Sequence, residues 1–142
     1  VEGASRLALA MMLTRCLTIK HSNVADLKET ETAIDPAIIL SDWTAAERKT
    51  LLERSLFGPS SYGRVRFQHR AVVEYLAAMR IKTLRANGMK TSELKHLLFT
   101  ESRGKLIVRP SKRPVAGWLA LLEDFVFQII FGCVQPNLTM KP

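Results

Sequence analysis

Residues 62–84 read YGRVRFQHRAVVEYLAAMRIKTL, and two periods meet inside them. From Arg64 to Gln68 polar and apolar side chains alternate strictly, which is the period of a strand. From about His69 to Ala86 the apolar spacing becomes that of a helix. At about 100° per residue Val72, Val73, Leu76, Ala77, Ile81 and Leu84 share one arc. His69 and Arg80 fall in the same arc, so both polar residues are expected to face inward. Asn87 and Gly88 then stop the helix, because glycine accepts the left-handed conformation that a C-terminal cap requires.

Upstream, Gly58, Pro59, Ser60, Ser61, Tyr62 and Gly63 form a turn cluster ahead of the strand. Thr44 to Glu47 reads as a capping box opening a helix over about Ala45 to Arg54. Asp35 before Pro36 starts a shorter helix, with Asp as cap and Pro at the first helical position. His21 to Thr32 is polar and aperiodic, the pattern of a loop. From Ser5 to Lys20 the residues are apolar on almost every side and predict a core helix with several neighbours. Helix, turn and short strand in this order suggest a winged-helix layout within a mainly α fold.

Downstream, Ser92 can cap a helix through Leu98, and Lys105 to Arg109 reads as a strand or extended connector. Pro110 and Pro114 mark a subdomain boundary there, giving a helical and winged-helix-like module over 1–109 and a helical region over 110–142. Within the latter, Val115 to Leu122 and Phe125 to Phe131 are apolar helices separated by Glu123 and Asp124. They form a helical hairpin that could open an α-solenoid.

Hydrophobic residues make up 47% of the 142 and charged ones 24%, a globular balance and not that of a disordered tail. No run of about 18 apolar residues occurs, so no membrane span is expected. Arg6, Arg15 and Lys20 are spread along the first apolar stretch instead of preceding it, unlike a signal peptide, and a cytoplasmic location is expected. The start at Val1 and the end at Pro142 suggest a piece of a longer polypeptide. Cys16 and Cys133 are far apart in apolar surroundings and read as buried reduced thiols. The net charge of +8 suits nucleic acid, nucleotide phosphates, an acidic surface or an acidic neighbouring domain.

The phosphate-cradling pattern GxxxxGK[ST] is absent, as are a GxSxG elbow and any His, Cys or carboxylate set at metal-ligand spacing around His21, His69 or His96. No catalytic residue and no metal are therefore expected in this chain. Arg64, Arg66, Arg70, Arg80, Lys82, Arg85 and Lys90 surround a single acidic residue, Glu74. Nucleic-acid phosphates could be held by Arg64, Arg66, Arg70, Lys82 and Arg85. Equally, Arg64 and Arg66 could line the solvent face of the strand while Lys82 and Arg85 coat the helix. His69, at the first turn of the long helix, could add an imidazole donor where backbone amides favour an anion, or could be a boundary histidine bonded to a carbonyl.

The block FQHRAVVEYLAA, residues 67–78, resembles the FxHxxxxEYLAA signature that closes the winged-helix part of NACHT-type STAND ATPases. LFGPSSYGRVRFQHR and RPSKRPVAGWLA look like neighbouring blocks of bacterial members, so the resemblance covers most of Asp35 to Leu122. Ala71 and Val73 depart from polar residues common in the signature. The resemblance implies that His69 contacts the phosphate of bound ADP and that ATP exchange releases the domains for oligomerisation, in signalling or antiviral defence. It also implies that Phe67, Tyr75 and Leu76 pack, and that ADP and ATP are bound by the parent protein and not by this chain alone. The implied partners are an upstream ATPase domain, which holds any ATPase site, and downstream helical repeats. A free-standing nucleic-acid-binding winged-helix protein and a protein-interaction scaffold docking through Trp118 and Phe125 remain the alternatives.

Overall fold

The computed structural model describes residues 1–21, 33–60 and 63–131, without the side chains of Asp124, Phe125 and Phe131. It is mainly helical with small antiparallel sheets. Two compact units divide the chain, Val1–Ala77 and Ala78–Pro142. Among the described residues no helix is long and apolar enough to cross a membrane.

The first unit begins with α1 (Glu2–Thr14), whose Leu7 and Ala8 are fully buried. The single core helix expected over Ser5 to Lys20 is shorter than that. Arg15 takes a left-handed conformation (φ 58°) that closes α1, and Ile19–Lys20 leave it as a strand, β1. Ile19 is fully buried, whereas Leu13 and Leu17, counted on for the core, are exposed. Cys16 is only partly buried, and Cys133 lies outside the described residues.

Asp35 caps α2 (Pro36–Ile39) by accepting from the Ala37 amide at 2.9 Å. Thr44 caps α3 (Ala45–Leu52), its hydroxyl accepting from the Glu47 amide at 3.2 Å. Between these helices the chain turns a corner whose free carbonyls are collected by arginine. Arg48 donates to the carbonyls of Leu40 and Trp43. Arg6 reaches across from α1 to the carbonyl of Ile39.

Gly58 and Pro59, expected as turn, join Phe57 in a strand, β2 (Phe57–Pro59), antiparallel to β3 (Arg64–Phe67). The strand order is β1-β3-β2, with Ile19 opposite Val65 on one side and Phe57 opposite Phe67 on the other. The Phe57 and Phe67 rings lie 4.5 Å apart, a cross-strand aromatic pair that ties the hairpin to the core. Of the expected turn, Ser61 and Tyr62 lie outside the described residues.

The long helix is α4 (Arg70–Ala86), with Leu76, Ala77, Ala78 and Ile81 buried. Its end is the expected glycine stop in full. Gly88 (φ 108°) donates to the carbonyl of Arg85 at 3.2 Å, and Met89 to that of Leu84 at 2.9 Å, the paired bonds of a Schellman motif. Of the residues expected to pack, Phe67 and Leu76 are buried, but Tyr75 is 39% exposed.

In the second unit α5 (Thr91–Leu98) starts one residue before the expected cap at Ser92. Glu93 accepts instead from the Lys90 amide at 3.2 Å. The connector expected at Lys105 is one arm of a hairpin, β4 (Phe99–Ser102) with β5 (Lys105–Val108). Its two-residue turn places both Arg103 (φ 52°) and Gly104 (φ 76°) at positive φ, the twist that matches paired strands. After a 3-10 turn at Pro110–Lys112 come α6 (Arg113–Leu122) and α7 (Asp124–Phe131), broken only at Glu123. Leu94, Leu98, Leu119 and Val126 are fully buried here, each contributing roughly 1.5–3 kcal/mol.

Candidate functional site

Gln68 and His69 carry the chain from β3 into α4. The Gln68 amide donates to the Leu56 carbonyl at 2.9 Å, prolonging the β2–β3 pairing, and its Nε2 donates to Phe57 at 3.3 Å. His69 is the last residue before the helix. Its carbonyl accepts from the amides of Val72 (3.2 Å) and Val73 (3.4 Å), which starts the helical ladder.

The His69 side chain is exposed, which corrects the expectation that it faces inward. A helical wheel assigns a direction only to residues with helical backbone, and His69 precedes the first of them. The imidazole therefore stands in solvent at the start of a 17-residue helix, where the first amides point outward and the dipole favours an anion. What this junction offers chemically is a set of hydrogen-bond donors.

The structure sorts the basic residues into different roles. Arg66 is exposed on β3. Arg64, expected on the same solvent face, is buried at 5% exposure. As the central strand, β3 is flanked on both sides, and Arg64 sits opposite Lys20 of β1. Arg70 is 91% exposed, with its Nε 3.3 Å from Glu74 one turn on.

Lys82 and Arg85 belong to the second unit. Lys82 is exposed. Arg85 is held by the helix stop, its Nη1 donating to the Met89 carbonyl (3.0 Å) and the Thr91 hydroxyl (3.2 Å), with Glu123 at 4.0 Å from Nε. A guanidinium fixed in this way joins the end of α4 to the start of α5. Of the five residues expected to hold nucleic-acid phosphates, Arg66, Arg70 and Lys82 are thus the exposed ones.

A second feature was only partly visible in the sequence. The second unit contains a groove of about 450 Å³ whose lining includes Arg113, Ala116, Gly117, Ala120, Leu121 and Phe127. The apolar character of the two helices marks this region, and Trp118 is indeed 37% exposed, but it is not among the lining residues. The Phe125 side chain lies outside what is described. Among the described residues no three His, Cys, Asp or Glu side chains gather as a metal site. No family model, no curated protein and no solved structure matches this chain.

Proposed function

We propose that the chain is the winged-helix regulatory module of a NACHT-type STAND ATPase, with the start of its helical sensor region. In this reading it couples ADP or ATP, bound by the parent protein, to domain opening and oligomerisation. The observation that carries it is the position of FQHRAVVEYLAA at a strand-to-helix junction behind α1, β1, α2, α3, β2 and β3, in a sheet ordered β1-β3-β2. The reading is supported by that element sequence and strand order, which agree with a winged-helix layout, where the first strand joins the hairpin on its last strand. The exposed His69 at the mouth of α4 is consistent with a donor reaching a phosphate supplied by a neighbouring domain.

In this reading the ATPase chemistry sits in an upstream P-loop domain, and α6 and α7 begin the downstream repeats. The test is ADP binding by a longer polypeptide in which a GxxxxGK[ST] loop precedes this module. His69→Ala is expected to weaken ADP binding and speed exchange for ATP. Unchanged affinity and unchanged exchange would remove His69 from the sensing role. Because the ring is exposed, the substitution leaves the fold intact and the comparison is clean.

A further inference from the structure

Only one asparagine of the chain is followed by glycine. Asn87 and Gly88 stand together, whereas Asn23 precedes Val24 and Asn137 precedes Leu138. Asn87 is exposed just past the end of α4, and among the described residues its carboxamide makes no hydrogen bond. Gly88 has no Cβ to shield its backbone nitrogen, and a Cβ added there would meet nothing within 4 Å. The Asn87 Cγ and the Gly88 nitrogen are the two atoms that close a five-membered imide when they meet. One restraint opposes that closure. The Gly88 amide donates to the Arg85 carbonyl at 3.2 Å, next to the bond from the Met89 amide to Leu84 at 2.9 Å. Arg85 Nη1 in turn holds the Met89 carbonyl and the Thr91 hydroxyl at 3.0 and 3.2 Å.

We propose that Asn87–Gly88 is a self-modifying site, at which a slow loss of ammonia rewrites the end of α4 and the Schellman motif sets the rate. In the first step the Gly88 nitrogen bonds to Asn87 Cγ and the bond from Cγ to the side-chain nitrogen breaks. The Gly88 proton leaves with that nitrogen as ammonia. Water then opens the imide at either carbonyl, giving aspartate or, with the backbone rerouted through the side chain, isoaspartate. Only water is consumed, and nothing is oxidised or reduced. A nitrogen whose N–H is engaged by Arg85 is held back from Cγ. Closure therefore requires the cap to open, and its rate follows the population of the open form. Both products then act against the closed cap. Aspartate places an anion at a helix end that favours cations. Isoaspartate adds a backbone carbon between positions 87 and 88, so the amides of Gly88 and Met89 no longer meet the carbonyls of Arg85 and Leu84 in register. The joint that Arg85 makes between α4 and α5 is loosened as a result. The proposal is independent of the nucleotide-switch reading, since it concerns residues that the reading does not use.

The test is incubation of the full chain at near-neutral pH, folded and in urea, with peptide mapping that separates asparaginyl, aspartyl and isoaspartyl forms. Conversion is expected at Asn87 well before Asn23 or Asn137, and more slowly in the folded chain than in urea. Arg85→Lys keeps the charge but surrenders one acceptor, and should speed the folded-state reaction about fivefold through a more populated open cap. Gly88→Ala sets a Cβ beside the attacking nitrogen and should slow the reaction about tenfold in urea, where the cap plays no part. An unconverted Asn87 in the folded chain, over a period in which the chain in urea converts, would overturn the proposal. Equal rates in the folded chain and in urea, or an Arg85→Lys rate equal to the parent's, would overturn control by the cap. Aspartate without isoaspartate would exclude the imide route.

Discussion

Arg6 and Asp42 face each other across the first unit as a two-point pair, Nη1 to Oδ2 at 3.0 Å and Nη2 to Oδ1 at 2.8 Å. The same Nη2 also donates to the Ile39 carbonyl at 2.7 Å, so one side chain fastens α1 to the end of α2 and to the corner beyond it. Asp42 is well exposed, which keeps the ionic part small, while the carbonyl contact is better shielded.

Arg6→Gln is expected to cost about 1–2 kcal/mol in denaturant unfolding. The hydrogen bonds that Arg6 donates to the Asp42 carboxylate hold the Arg6 pKa above its ordinary value. A raised folded-state pKa stabilises the fold below the unfolded value and loses that effect only as pH rises through the folded one. The deficit should therefore be the same at about pH 7 and about pH 10. A deficit that fades over that range would show the pair to be something other than a charged arginine contact.

At Gly3, α1 lies close against Trp43 of the corner and Leu51 of α3. A Cβ there would lie 2.5 Å from Trp43 Cη2 and 2.9 Å from Leu51 Cδ2. Gly3→Ala should destabilise by about 1–3 kcal/mol despite its better helix propensity. Trp43→Leu in the same chain should recover part of the loss, so that the two substitutions are less than additive.

Two other glycines predict opposite signs for one chemical change. Gly88 holds φ 108° in open surroundings, so Gly88→Ala meets only backbone strain and should cost about 1 kcal/mol, with Gly88→Asn milder. Gly117 lies in α6 with free space around it, so Gly117→Ala should stabilise by up to about 1 kcal/mol. Melting temperatures of the two variants, measured side by side, decide the matter.

Arg85 separates charge from structure. Arg85→Lys keeps the charge but cannot reach the Met89 carbonyl and the Thr91 hydroxyl with one planar group, and should lower stability by about 1 kcal/mol. Binding of duplex DNA, if measured at low salt, should respond to Arg66→Ala and not to Arg85→Lys. The reverse order would restore Arg85 to the phosphate-binding set.

Where the chain signals its structure through its own neighbours, the sequence is readable. Asp35 and Thr44 each cap the helix that their side chains announce, and Gly88 terminates α4 through bonds that only a left-handed residue permits. The unreadable parts depend on residues distant in sequence. β1 has two residues and no period, and it exists because Ile19 pairs with Val65. In β2, Gly58 and Pro59 have turn composition and are strand through their pairing with β3. Arg64 and Arg66 share a face by periodicity, yet one is buried and the other exposed, a difference that the alternation does not carry. At the candidate site, the place of His69 at the start of the helix is legible and the direction of its side chain is not, because position relative to the first helical residue decides that. The groove by α6 needs three-dimensional packing to appear at all.

The β4–β5 turn places a length constraint on the second unit. With Arg103 and Gly104 spanning the strands, Thr100 faces Ile107 and Glu101 faces Leu106, and both Leu106 and Ile107 are exposed on opposite sides of the ribbon. A single residue inserted within β5 would exchange those two sides and carry the offset on towards Val108 and α6. Many replacements on this arm should be tolerated, while insertions and deletions are not, so a scan of indels would map the hairpin more sharply than a scan of substitutions.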